Sequence, residues 1–315
     1  MIEVHGLTKR YGARVVVDDL TFTVEPGRVT GFLGPNGAGK STTMRMILGL
    51  AAPSAGHAWI EGRPYRSFDR PLRRVGALLD AGAMSGGRGA YHHLASIAAS
   101  NDIPRTRVEE VLERTGLCEV ARRRVGGFSL GMKQRLGIAA ALLGEPRVLL
   151  LDEPVNGLDP DGVRWIRTLM RELAAEGRTV FVSSHLMSEM ALTADHVIVL
   201  GRGRVIVDTD MAEFVRTGSR GDVLVRSPHG ARLARLLTEH GASVTAEADG
   251  ALAVTDLAFV RIGELAAAHG LVIHELAARQ GSLEEAYLRI TEDEAVHRAV
   301  HPVGGAGAVG KGAGA

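Results

Sequence analysis

Cysteine is almost absent. Cys118 stands alone, which excludes an intrachain disulfide and fits a reducing compartment. An excess of either charge is missing too: thirty-seven Lys and Arg face thirty-six Asp and Glu. Such a chain does not grip nucleic acid by bulk electrostatics, and no nucleic-acid partner is expected. No stretch reaches the roughly eighteen uncharged apolar residues that a membrane helix needs. The most apolar runs, 136–143 and 148–151, are separated by Gly144, Glu145, Pro146 and Arg147. A membrane span, if the protein works at one, is therefore expected from another chain. The opening residues 1–5 read as a strand already inside the fold, not as a signal peptide. Lysine is scarce: Lys9, Lys40, Lys133 and Lys311 are four among thirty-seven basic residues, so a lysine at a chemically demanding place carries weight. What is present is 315 residues, enough for one large domain and a smaller one, each with its own core.

Lys40 falls in Gly34-Pro35-Asn36-Gly37-Ala38-Gly39-Lys40-Ser41-Thr42, a G-x-x-x-x-G-K-[ST] pattern between a strand-like run (29–33) and a helix-like run (43–48). Glycines at this spacing let the backbone curl with successive N–H groups inward. The head of the following helix adds partial positive charge, and together they make an anion nest. Lys40 then reaches the β- and γ-phosphates of a nucleotide, and Ser41 offers its hydroxyl to Mg²⁺. In a chain with forty glycines the competing reading is a glycine-rich turn beside an incidental lysine. The rarity of lysine and the strand–loop–helix context weigh against it.

Residues 1–33 alternate over short runs (2–5, 14–17, 20–24) and read as antiparallel strands feeding the phosphate-binding strand, with Tyr11 in the loop between the first two. Tyr11 either caps a core or stacks on a flat base. A strand at 75–79 ends in Asp80, and 83–146 is largely helical, entered through the glycine-rich stretch 82–89. Residues 147–154, RVLLLDEP, form a continuous apolar run with two carboxylates at its end, the pattern of a central parallel strand buried on both faces. In an open α/β sheet ligands sit at the carboxyl ends of strands, which brings Asp152 and Glu153 to the phosphate loop. Adjacent strand residues point to opposite sides, so the two acids take different roles. Asp152 is expected to hold Mg²⁺, directly or through water, and Glu153 to polarise an attacking water. A charged loop after a core strand is the bland alternative. A second buried strand, 178–183, ends at Ser184 and His185, which would emerge on the same rim, although a lone histidine is more often structural.

Beyond residue 217 the pattern becomes strand (222–226), helix (230–239), hairpin (243–246 and 251–255), helix (259–268) and strand (272–276), the βαββαβ order of a ferredoxin-like split fold. It carries no metal-ligand or nucleophile constellation; His240, His269 and His274 are widely spaced and assigned structural roles. A short helix is expected over 282–290. The domain division is read as 1–217 with its helical insert, 218–291, and a flexible Gly/Ala-rich tail at 292–315.

At this point the first 215 or so residues resemble the ATP-binding subunit of an ATP-binding cassette transporter. The Walker A loop is GPNGAGKST (34–42) and Walker B is VLLLDEP with Asp152 and Glu153. FSLGMKQR (128–135) resembles the signature, NGLDP (156–160) the D-loop with Asp159, and SSHLMSEM (183–190) places His185 at the switch histidine. Tyr11 falls where the family's adenine-stacking aromatic falls. The resemblance implies an α/β fold: a P-loop NTPase cassette with a mixed sheet core, an antiparallel β subdomain and a helical insert, followed by the small α+β ferredoxin-like domain. It implies ATP and Mg²⁺ as ligands, with Lys40, Glu153, His185 and Asp80 in catalysis and Ser41, Asp152 and Asp80 near the metal. Ser129, Leu130, Gly131 and Met132, at the head of a helix, would face the γ-phosphate held by a second copy. A separate transmembrane permease is the other implied partner, with the chain peripheral on the cytoplasmic side of the membrane. The order of parts is similar to the ATPases of bacterial exporters for drugs, antibiotics and lipids. Two departures stand out: Asp80 replaces the usual glutamine, and Leu130 and Met132 replace the usual glycine and glutamine of the signature. A soluble cassette protein acting on ribosomes or DNA is the main alternative. No paired cassette, long coiled-coil insertion or zinc cysteines speak for it. A regulatory module with slow hydrolysis is the third reading.

Overall fold

The computed structural model describes residues 1–218, 222–279 and Tyr287. The helix expected over 282–290, apart from Tyr287, and the tail lie outside the described residues. The chain divides into two compact units, the first Met1–Val215 and the second starting at Arg216.

The first unit opens with β1 (Ile2–Tyr11), β2 (Arg14–Val24), β3 (Val29–Leu33), α1 (Lys40–Ile47) and β4 (Ala55–Ile60). β5 (Val75–Leu78), α2 (Ala90–Ala99), α3 (Thr106–Arg114), α4 (Leu130–Leu142), β6 (Val148–Asp152), α5 (Pro160–Ala175) and β7 (Thr179–Ser184) follow. α6 (Met187–Ala191), β8 (His196–Gly201), β9 (Arg204–Asp210) and α7 (Met211–Gly218) complete the series. A three-stranded antiparallel sheet has the order β2-β1-β4, and a six-stranded sheet the order β5-β6-β7-β3-β8-β9. In the six-stranded sheet β5, β6, β7, β3 and β8 run parallel, and β9 closes the edge antiparallel to β8. The apolar run read at β6 and the buried strand read at β7 come from burial on both faces, and every residue of β3 and β7 is buried.

The core is continuous from the antiparallel sheet, through Ile2, Val4, Leu20 and Phe22, to Phe32, Leu150, Phe181 and Ile198 of the mixed sheet, with Met44 and Ile47 of α1 in the same cluster. Phe22, Phe32 and Phe181 meet with ring centroids 4.9–5.9 Å apart. Each such buried side chain contributes about 1.5–3 kcal/mol by leaving water. That attachment holds the strand feeding the phosphate loop from two sides.

Three details depart from the expected pattern. β1 runs unbroken to Tyr11, because bulges reset its pairing with β2 instead of ending it; Tyr11 is a strand residue paired with Arg14 across the two-residue turn Gly12-Ala13. β5 stops at Leu78, so Asp80 lies in the turn that follows, where its Oδ1 accepts a hydrogen bond from Gly82 N–H at 2.7 Å. The expected last strand, 272–276, is displaced to β13 (Glu275–Ala278). Leu271 is buried ahead of it, and pairing of Glu275 with Arg226 and of Ala278 with Val223 sets the register.

In the second unit β10 (Val223–Arg226), α8 (Gly230–Glu239), β11 (Ser243–Ala246), β12 (Leu252–Thr255), α9 (Phe259–Ala268) and β13 form a sheet of order β11-β12-β10-β13, all pairs antiparallel. Two crossover helices and that order define the split βαββαβ arrangement. Its own core joins Val225 and Val254 to Leu233, Leu237 and Ile262.

Candidate nucleotide site

Strand register brings the site together. In the parallel sheet Asp152 pairs with Ser183, and Leu33 pairs with Ser184. The segments leaving β3, β6 and β7 therefore start level with one another on one rim, at Gly34, Glu153 and His185. The loop after β3 ends in Gly39 with φ 108°, the N-cap of α1. Gly34 cannot carry a side chain, because a Cβ there would sit 2.6 Å from the Leu200 carbonyl oxygen. A cleft of about 180 Å³ is lined by Val16, Pro35, Asn36, Gly37, Gly39, Lys40, Ser41, Thr42 and Glu153. Ala38 is buried beneath the loop. Val16 enters through a bulge: Lys9 pairs with Val17 and Arg10 with Val15, so Val16 has no partner and turns out of the strand pattern. Tyr11, half-exposed near that bulge with Lys9 Nζ 5.0 Å from its ring, is not among the lining residues.

Lys40 is buried and donates to the Gly34 carbonyl and, at 3.4 Å, to that of Pro35. Its Nζ lies 3.9 Å from Glu153 Oε1, and Glu153 Oε2 lies 2.8 Å from His185 Nδ1. Lysine, glutamate and histidine thus form one line across the rim. Burial pushes the Lys40 pKa below the usual lysine value, and the Glu153 and then the Asp152 carboxylates oppose that fall. Glu153 adopts φ 49°, the left-handed region that non-glycine residues rarely enter. Its N–H donates to Ser183 Oγ at 3.0 Å, while that hydroxyl donates to Asp152 Oδ1. From the other side Gln134 Nε2 donates to the Glu153 carbonyl at 3.0 Å.

The signature residues lie apart from the cleft. Ser129 is the N-cap of α4, its Oγ accepting from Met132 N–H at 3.2 Å, which leaves the hydroxyl proton free to donate. Leu130 is exposed and Gly131 stands at the first turn. A Cβ on Gly131 would meet the Gly157 carbonyl oxygen at 2.8 Å, so the signature turn rests directly on the segment 156–160. Asp159 in that segment caps α5, its Oδ1 accepting from Gly162 N–H at 2.8 Å. Asp80 is exposed and does not line the cleft.

Sequence reading gave no role to Val16, nor to Ser183 and Gln134 within the motifs it quoted. The signal for Gln134 was present: it shares a helix face with Gly137, Ile138 and Ala141, a lone amide in a stripe of small and apolar residues, and only 4% of it is exposed. Ser183 is the next-to-last residue of β7 and shows its function only once β7 is set beside β6.

A glycine loop at a helix head, a buried lysine and a carboxylate at the end of the neighbouring parallel strand define a P-loop nucleotide-binding cassette. The comparisons agree and go further. A family model described as "ABC transporter" matches residues 17–156, and one described as a domain of unknown function matches 221–284. The bacitracin transport ATP-binding protein BcrA of Bacillus licheniformis is 43% identical over 209 residues, covering 65% of this chain and 68% of that protein. The daunorubicin resistance ATP-binding protein DrrA3 of Streptomyces coeruleorubidus is 36% identical over 313 residues, covering 93% of this chain and 96% of the relative. A solved ATP-binding subunit of an ABC transporter superposes with TM-score 0.63 at 29% identity over 69% of this chain and 92% of that one. The chain belongs to the ATP-binding subunits of ABC transporters and is an ATPase.

Proposed function

We propose that this chain powers export of a drug- or antibiotic-like small molecule through a separate permease, bound peripherally on the cytoplasmic side of the membrane. The relatives named for bacitracin transport and daunorubicin resistance support the cargo class. No described helix is long and apolar enough to cross a membrane, which is consistent with a span supplied by another chain. The observation that carries the mechanistic part is the line from Lys40 through Glu153 to His185.

The chemistry follows from that line. Loop N–H groups and the head of α1 receive the phosphates, and Lys40 turns its ammonium from the loop carbonyls to the β- and γ-phosphate oxygens. The residues suit Mg²⁺: Ser41, at the head of α1, and Asp152, at the end of β6, offer the hard oxygen donors that this ion takes. When bound, Mg²⁺ neutralises phosphate charge. Glu153 accepts a hydrogen bond from the water aligned for in-line attack, and His185, held by Glu153, contributes charge stabilisation at the transferred phosphoryl group. Tyr11 supplies a face for adenine stacking. Asp80 reports the γ-phosphate to the insert. Ser129 and Gly131, flanked by Leu130 and Met132, complete the site of a second copy, so the working form is a dimer.

The test is ATP hydrolysis by the purified protein, alone and with its permease in lipid, beside Glu153→Gln. Stimulation by the permease and loss of turnover in the variant, with ATP binding retained, are expected. Turnover indifferent to Glu153, or a permease that never stimulates, would overturn the reading.

A further inference from the structure

Outside the cleft the helix that carries the signature makes a polar contact with the residue that follows β6, Glu153. Gln134 is almost wholly buried, yet it spends its amide on a backbone carbonyl, that of Glu153. Glu153 needs such support. Its φ of 49° is a costly conformation for a residue with a Cβ, and it persists only where the surroundings over-determine it. Four hydrogen bonds do so here, two of them from backbone groups: the Glu153 N–H also reaches the Ser183 carbonyl at 3.3 Å, and the Glu153 carbonyl also accepts from Asn156 N–H at 3.2 Å. Ser183 Oγ takes the Glu153 N–H and Gln134 takes the Glu153 carbonyl, so both peptide groups flanking the Glu153 Cα are held. The side chain that leaves this Cα is aimed between Lys40 and His185.

From this geometry we infer that Gln134 is a positioning residue for hydrolysis: through the Glu153 carbonyl it sets the backbone that aims the Glu153 carboxylate, and it ties that aim to the signature helix. The inference rests on the reading of Glu153 as the residue that polarises water. Gln134 lies on α4 five residues after its cap, Ser129, with Gly131 seated on the Gly157 carbonyl. Ser129, Gly131 and Gln134 belong to one hydrogen-bonded helical segment about 7.5 Å long, so a displacement at the signature turn is carried toward Gln134. A signature turn engaged by nucleotide and a catalytic carboxylate held in line are therefore linked through the Gln134 side chain, beside the backbone hydrogen bond from Asn156 N–H to the same carbonyl. A shorter amide falls short of the carbonyl, and a carboxylate presents an acceptor to an acceptor.

The experiment compares Gln134→Met, which keeps the length and removes the donor, and Gln134→Asn, which keeps the amide and withdraws it, with the unaltered protein. Each is measured for ATP hydrolysis, ATP affinity and thermal unfolding. A misplacement of about 1 Å in a reacting group costs up to ~100-fold in rate, so kcat is expected to fall ~10–100-fold in both variants. KM and ATP affinity should stay within about threefold, because Lys40 and its loop are untouched. The decisive comparison is made in the Glu153→Gln background. If Gln134 acts through Glu153, adding Gln134→Met there should leave the residual rate unchanged. A kcat in both variants equal to that of the unaltered protein, a fall in kcat accompanied by equal loss of ATP affinity, or additive losses in the double variant would overturn the inference. Full turnover by Glu153→Gln alone would instead remove the reading beneath it. Should Gln134→Met unfold, Gln134→Asn and its own double variant decide the matter.

Discussion

Gly131 is where a single atom matters most. It belongs to the signature turn, and the carbonyl of Gly157 approaches to 2.8 Å of the place a Cβ would occupy. The neighbour is backbone, so it cannot swing aside as a side chain would. We expect Gly131→Ala to cost about 1–3 kcal/mol by overpacking, with the strain taken up at the contact between the signature turn and segment 156–160. The checks are kcat, expected to drop at least ~10-fold, and ATP affinity of the isolated chain, expected to hold because the phosphate loop is elsewhere. Leu130 explains why a larger residue is tolerated next door: its exposed side chain lies over Gly157, which has no Cβ to obstruct it. The departure from glycine at position 130 is thus accommodated by glycine at 157.

At the scale of elements, caps and one histidine tie the site's supports together. Asp159 caps α5 and is followed by Pro160 at the first helical position. Asp159→Ala removes the acceptor of the Gly162 N–H, and a loss of about 0.5–2 kcal/mol in stability is expected in denaturant unfolding. His196, at the start of β8, joins that strand to β9 with Nε2 2.7 Å from Asp208 Oδ1 and Nδ1 3.1 Å from Asp210 Oδ1. Its pKa is raised above the ordinary 6.5, first by the hydrogen bond to Asp208 and then by that to Asp210, with burial and Arg28 opposing. A raised folded-state pKa means that the folded form holds the proton more tightly than the unfolded chain does. The stabilisation is fully present below the unfolded value of 6.5 and is lost as pH rises through the folded value. Denaturation midpoints measured from pH 6 upward should therefore fall more in the unaltered protein than in His196→Gln, which does not titrate. Parallel curves would show that the clasp contributes nothing.

On the scale of the whole molecule, the residues of the nucleotide site all belong to Met1–Val215, and the second unit has a separate core and sheet. Two units with independent cores should give two calorimetric transitions in the full chain. ATP with Mg²⁺ should raise only one of them, by roughly RT ln(1 + [L]/Kd), about 2.7 kcal/mol at a hundredfold excess over Kd. A single transition that shifts as a whole would show that the units unfold together. The same arrangement explains why the second unit offered no functional reading: its side chains serve its own core and ion pairs such as Arg226 with Asp249 and Glu275.

The sequence alone carried whatever is local in the chain. The phosphate loop is nine consecutive residues whose backbone geometry is written in glycine spacing, and buried parallel strands announce themselves as unbroken apolar runs. Helices α8 and α9 were placed from periodicity because their apolar stripes are intrinsic to the segment. Tertiary structure decided what depends on register and on contacts distant in sequence. Only the pairing of β6 with β7 sets Ser183 against Asp152 and Glu153, and only the packing of α4 behind that strand turns Gln134 from a polar residue in a helix into a support for Glu153. The line from Lys40 to Glu153 to His185 joins residues more than a hundred positions apart, and the bulge that brings Val16 to the cleft follows from pairing with β1. A residue type names the chemistry a side chain can perform, whereas the partner that puts it to use is chosen by the fold, because hydrogen bonds and close contacts act over a few ångströms of space and not along the chain.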